Sequence, residues 1–134
     1  MASSEQAAGA LGETIAASRL LRRGYTVLHP AAPELYDFVA VSGGAYIRVQ
    51  VKATARPGSH RQGLRYSFTL KHSKNQRYPD DSVDFFICVA LDTEACWVLP
   101  AASATVKSCK INPTRAGKWS IYFEAWHLME QFGE

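Results

Sequence analysis

The sequence predicts an α/β or α+β fold, of which α/β is preferred: one domain on a central β-sheet flanked by helices, with an N-terminal helix followed by a β-hairpin. Three observations predict it. A long run of helix formers opens the chain, a series of short strand patterns follows, and an amphipathic segment closes it. At 134 residues, 47% hydrophobic and 20% charged, the chain has the length and composition of a single globular domain.

Residues 3–23 read as the helix, capped by Ser3 or Ser4, with Arg22 and Arg23 in the last turn and Gly24 as the stop. "YTVLHP" is a short strand ended by Pro30. "PELYDFVAV" and "AYIRVQVKAT" are two strands joined through Ser42-Gly43-Gly44, a hairpin signal. "ARPGSHRQGLR" reads as a loop, "YSFTL" as a strand and "KHSKNQRY" as a polar turn or short helix. "VDFFICVAL" is nearly all apolar, as a strand buried on both faces would be. "ACWVLPA" is a further strand, "KWSIYF" a short one, and "EAWHLMEQF" the closing amphipathic turn. No repeat, low-complexity segment or linker divides the chain, so residues 1–134 are taken as one domain.

No apolar run approaches the roughly 18 residues that span a membrane. The start, "MASSEQAAGALGE", has no basic leader followed by an apolar core, so an intracellular, cytoplasmic protein is expected. Cys88, Cys96 and Cys109 are odd in number and lack C-x-x-C spacing, which favours structural thiols. Trp97, Trp119 and Trp126 alternate with apolar residues and are expected in the core. His29, His60, His72 and His127 show no partner in the sequence.

The net charge of +3 conceals an uneven distribution. From Phe38 to Pro79 there is no Asp or Glu, yet Arg48, Lys52, Arg56, Arg61, Arg65, Lys71, Lys74 and Arg77 supply eight of the fifteen basic residues. A basic block interleaved with Tyr66, Phe68 and Tyr78 is the footprint of a phosphate-binding surface and points to nucleic acid, localised with the nucleoid. A solvated basic loop is the plainer alternative.

Three polar positions stand in apolar surroundings. Glu13 has Ala16, Ala17 and Leu20 on its helical face, so its carboxylate is expected to be partly buried and in need of a partner. Asp37 lies in "YDFVAV", and Gln50 and Lys52 share one face of "AYIRVQVKAT". If Gly43 and Gly44 form a tight turn, hairpin partners sum to 87 and Asp37 faces Gln50, with Lys52 on the same side. Carboxylate and amide oxygens are hard ligands suited to Mg²⁺, and a lysine can position water or stabilise charge developing at phosphorus. The cluster suits metal-assisted phosphodiester hydrolysis. An exposed Asp37–Lys52 ion pair is the alternative.

The segments "GALGETIAASRLLRRGYTVL", "ELYDFVAV" and "IRVQVKA" resemble the PD-(D/E)XK nuclease superfamily, in particular its archaeal-type Holliday junction resolvases and its homing endonucleases. The later "VDFFICVALDTEACWVLPAAS" is similar to the homing branch. The resemblance implies a restriction-endonuclease-like core with a mixed sheet. It also implies a Mg²⁺-dependent endonuclease, Mn²⁺ substituting, that hydrolyses phosphodiester bonds of duplex or branched DNA. Glu13, Asp37, Gln50 and Lys52 would be its catalytic set, with Asp37, Gln50 and Glu13 as metal ligands. Gln50 stands where most members have an acid, so a non-catalytic nucleic-acid-binding relative remains an alternative, as does a protein-interaction domain. Arg48, Arg56, Arg61, Arg65, Lys71, Lys74 and Arg77 are the expected DNA contacts. A homodimer or higher homo-oligomer is expected, because cutting two strands takes two sites.

Overall fold

The computed structural model describes residues 3–73, 76–79 and 81–133. Helix α1 runs Ser4–Arg22. Its start is a capping box: Ser3 Oγ accepts from the Gln6 N–H at 3.1 Å, and Gln6 Oε1 accepts from the Ser3 N–H at 2.9 Å. Gly24, at φ +90°, takes the left-handed conformation that ends the helix.

Strands β1 (Thr26–Leu28), β2 (Phe38–Ser42), β3 (Ala45–Thr54), β8 (Phe85–Ala90) and β9 (Ala95–Pro100) form a five-stranded sheet in the order β1-β2-β3-β8-β9. Pairing is antiparallel except for β3 with β8, which is parallel. The sheet is therefore mixed, as expected, with β3 in its middle. Ile47, Val49 and Val51 face α1, Trp126 and Met129, and join one apolar layer with Leu20, Ile87 and Val98. The short closing helix α2 (His127–Glu130) belongs to the same layer.

The opposite face is covered by a second, three-stranded sheet of β4 (Gly58–His60), β5 (Gly63–Thr69) and β10 (Ser108–Ile111). Tyr66, Phe68, Cys109 and Ile111 point inward against Phe86, Cys88, Trp97 and Leu99. β8 is buried along its whole length because it lies between the two layers. The three tryptophans and three cysteines are buried, as expected. Burial pushes the Cys96 thiol up to about 12, with the Glu124 carboxylate adding to it, which keeps that sulfur inert. No helix among the described residues is long and apolar enough to cross a membrane.

Three expectations are corrected. "ARPGSHRQGLR" is not a loop throughout, because β4 and the start of β5 pair within it. "KHSKNQRY" contains a small hairpin of β6 (Lys71–Ser73) and β7 (Gln76–Arg77), with Lys74 and Asn75 outside the described residues. "KWSIYF" is a 3₁₀ turn at Ser120–Tyr122, preceded by Gly117 at φ +93°. Only Phe123 bridges to a strand, at Trp97.

Gly12 sets the spacing between α1 and the sheet. A Cβ placed there would lie 2.8 Å from Ala53 Cβ on β3 and 3.6 Å from Val51 Cγ1. Gly12→Ala gains about 1 kcal/mol of helix propensity. The Ala53 Cβ is fixed to the backbone, however, so it cannot swing away, and overpacking costs typically about 1–3 kcal/mol. The expected outcome is a less stable protein in urea unfolding, with α1 pushed off the sheet and Glu13 carried out of place.

Candidate active site

The hairpin register is the one the two glycines imply. Ser42 pairs with Ala45, Ala40 with Ile47 and Phe38 with Val49. Gly43 and Gly44 both have positive φ, 57° and 84°, as a tight right-twisting turn requires. Continued one step, the register sets Asp37 beside Gln50. Asp37 lies just outside β2. Its backbone N–H donates to Val49 O at 2.8 Å, and its Oδ2 accepts from the Val51 N–H at 2.7 Å. The side chain thus replaces the next rung of the ladder. Phe86 and Cys88 flank Gln50 and Lys52 across the parallel pairing.

Glu13 reaches this end of the sheet from α1, half-buried as expected. Burial pushes its carboxyl above the ordinary value, and the negative charge of Asp37 pushes it further. Burial likewise raises Asp37, against the Val51 N–H and the charges of Lys52 and His29. Two partly desolvated carboxylates within reach of each other form a site that favours a cation. Among the described residues no three or more His, Cys, Asp or Glu side chains gather as a metal cluster. The oxygens here are two carboxylates and an amide, a donor set that fits Mg²⁺ because Mg²⁺ keeps several waters and takes few protein ligands. A neutral Gln50 suits this setting, since a third acid would add to a repulsion already present.

Lys52 makes no ion pair with Asp37 within 4.0 Å; among the described residues the salt bridges are Arg19–Glu94, Arg19–Glu124 and Arg48–Asp84. Instead its Nζ donates to Tyr78 Oη at 3.0 Å and lies 5.1 Å from the centre of that ring. The Tyr78 ring packs edge-on against Phe86, centroids 5.2 Å apart. Tyr78 thus holds the ammonium, a role the sequence did not show beyond an aromatic among basic residues. Tyr78→Phe keeps the ring and removes the acceptor. Losing a hydrogen bond to a charged group, worth about 1.5–3 kcal/mol, predicts at least about a tenfold fall in kcat with KM little changed. Steady-state cleavage kinetics check it.

His29 is the second residue missed. It follows β1, and its ring meets Phe38 edge-on at 6.0 Å. It lies near enough to Glu13 and Asp37 to oppose the rise of both carboxyls. With Glu13 it lines a shallow surface pocket beside Ala17 and Leu21. Only the β1–β2 register reveals this, and three-residue β1 carries no register signal of its own.

The basic residues separate into groups. Arg48 is held by Asp84: Asp84 Oδ2 accepts from the Arg48 N–H at 2.8 Å and from Nε at 3.1 Å, and Oδ1 accepts from Nη2 at 3.0 Å. This fork pins the start of β8 to β3. Arg56 is exposed after β3, and Arg61 is exposed at the turn between β4 and β5. Arg65 and Lys71 are half-buried on β5 and β6. Lys74 and the side chain of Arg77 lie outside the described residues.

Strand order, mixed pairing and a helix carboxylate beside the single carboxylate, Asp37, that precedes the β2–β3 hairpin define a restriction-endonuclease-like fold. A family model described as PD-(D/E)XK endonuclease matches residues 3–129, and the chain belongs to that family. The family is one of nucleases, with DNA as the substrate class and divalent metal ions in general use. A solved bacterial homing endonuclease, I-Ssp6803I, is similar with a TM-score of 0.80 over 98% of this chain and 96% of that one, at 23% identity, a likeness of fold. No curated protein matches the sequence.

Proposed function

We propose that this protein is a Mg²⁺-dependent endonuclease making site-specific, homing-type cuts in double-stranded DNA, with Mn²⁺ able to replace Mg²⁺. The observation that carries the reading is the pair of half-buried, upward-shifted carboxylates, Asp37 and Glu13, that act on each other where the hairpin register sets Asp37 beside Gln50. Asp37, Gln50 and Glu13 would hold the ion. Bound there, it would supply Lewis acidity toward a phosphate oxygen and a more acidic water. Asp37 is oriented for this by the Val51 N–H, which fixes one carboxylate oxygen. The Lys52 ammonium, steadied by Tyr78, positions the attacking water and balances charge growing on the phosphate oxygens. Gln50 cannot act as a base, so proton removal from the water falls to other groups. Cutting both strands takes two such sites, which fits a homodimer or higher homo-oligomer working on nucleoid DNA in the cytoplasm. The whole-chain likeness to a homing endonuclease favours that mode over junction resolution.

The test is cleavage of plasmid and of four-way DNA with Mg²⁺, with Mn²⁺ and with EDTA. Discrete duplex cuts that need the metal support the reading. Selective cutting of the junction would instead make the protein a resolvase. Binding without turnover under any metal would make it a non-catalytic relative.

A further inference from the structure

A second stretch of the chain is free of acids, and the fold lays it against the first. From Ala95 to Phe123 there is no Asp or Glu, while Lys107, Lys110, Arg115 and Lys118 are present. The β5–β10 pairing joins the two acid-free stretches: Lys110 sits opposite Ser67, and the same register sets Asn112 opposite Arg65. All three strands of the second sheet therefore come from segments without a carboxylate. Alternation sends Tyr66, Phe68, Cys109 and Ile111 into the core. Arg65, Ser67, Thr69, Ser108 and Lys110 are left on the outer face.

That face is grooved. Arg65, Lys110, Lys118, Gln62, Asn112 and Trp119 line a depression of about 440 Å³. Lys110 Nζ donates to Ser67 Oγ at 3.1 Å, and Lys118 Nζ lies 4.8 Å from the centre of the Trp119 ring. Both lysines are exposed, and neither has a carboxylate within 4.0 Å among the described residues. Three cations lining one groove, with no acid among its lining residues, present a surface complementary to a polyanion.

We infer that the outer face of the β4-β5-β10 sheet is a duplex-DNA docking surface on which Lys110 and Lys118, with Arg65, contact backbone phosphates. The inference rests on the nuclease reading and adds residues remote in sequence from the basic block.

The test is duplex binding by the full-length protein in EDTA, measured from 50 to 250 mM NaCl. Each phosphate contact contributes about 0.9 to the slope of log K against log salt. Lys110→Gln combined with Lys118→Gln is expected to lower that slope by about 2 and to weaken binding at least about tenfold at the lower salt. Lys110→Arg with Lys118→Arg should restore both. Arg22→Gln on α1, behind the opposite face of the main sheet, should change neither. A double variant that keeps wild-type affinity and slope overturns the surface alone. So does an Arg22→Gln variant that loses as much per charge, since that would be bulk attraction. Wild-type protein that binds no duplex would overturn the nuclease reading and this surface together.

Discussion

Lys52→Ala is expected to abolish strand cleavage, by about 10³-fold or more, while leaving the fold and metal-free DNA binding nearly intact. The size follows from what the ammonium does: removing one preorganised group that meets charge in a phosphoryl or acyl transition state costs about 10²–10³ in rate. Adding the loss of a positioned water moves the figure upward. The sparing of stability follows from the contacts. Lys52 is in no ion pair among the described residues, and its ammonium donates a hydrogen bond to Tyr78. Truncation strips methylenes beside Cys88 but leaves no buried carboxylate without a partner. Single-turnover cleavage, read beside circular dichroism and a gel shift in EDTA, checks all three. Undiminished cutting by Lys52→Ala would remove the active site from this strand.

Asp37→Asn is expected to separate activity from stability. Cleavage should fall as far as in Lys52→Ala, because the variant loses the anion that attracts a cation. The metal-free protein should become more stable at neutral pH. The sign runs through the carboxyl groups: burial raises Asp37 and Glu13, so the folded state holds more protons than the unfolded one. Stability from these groups is full below the ordinary carboxyl range and declines as pH rises through their raised values. An amide at residue 37 carries no charge to desolvate, and its oxygen can still accept from the Val51 N–H. It also removes the repulsion on Glu13. Thermal unfolding without metal at pH 5 and pH 8 should show a smaller loss in Asp37→Asn than in wild type. Adding Mg²⁺ should raise Tm in wild type and not in the variant. Equal pH dependence in both would deny Asp37 its buried charge. Asp37→Ala is the poorer probe, since it also strips the Val51 N–H of its acceptor.

Much of the scaffold of the site was legible because its signals are local. The α1 cap, the Gly43-Gly44 turn and the strict alternation of β3 each act within a few residues, and together they fix the register that sets Asp37 beside Gln50. The unbroken apolar run of β8 likewise announced a strand covered on both faces. The second sheet was not legible. β10 is four residues long and finds β5 about forty residues away, so its pairing energy is set by tertiary contacts that no local pattern encodes. For the same reason Lys110 and Lys118 read as scattered surface charges. The "KWSIYF" segment alternates like a strand, but the turn after Gly117 commits its backbone to 3₁₀ geometry first. Tyr78 and His29 reach the site through loops and a three-residue strand, whose paths leave no periodic trace. Arg48 was read for its charge, and only the start of β8 shows that Asp84 already engages it.

The middle position of β3 has a kinetic meaning as well. Gln50 and Lys52 ride on the strand with neighbours on both edges and the α1-side apolar layer behind it, the region of a domain whose amides open last. Asp37 is latched to it by its side chain, and Gly12 clamps α1 against it. Fraying of the outer strands or of the basic hairpin would leave these groups aligned. Hydrogen exchange at Val49 and Val51 should therefore proceed only through global opening, so that the lifetime of the assembled site equals the lifetime of the folded chain.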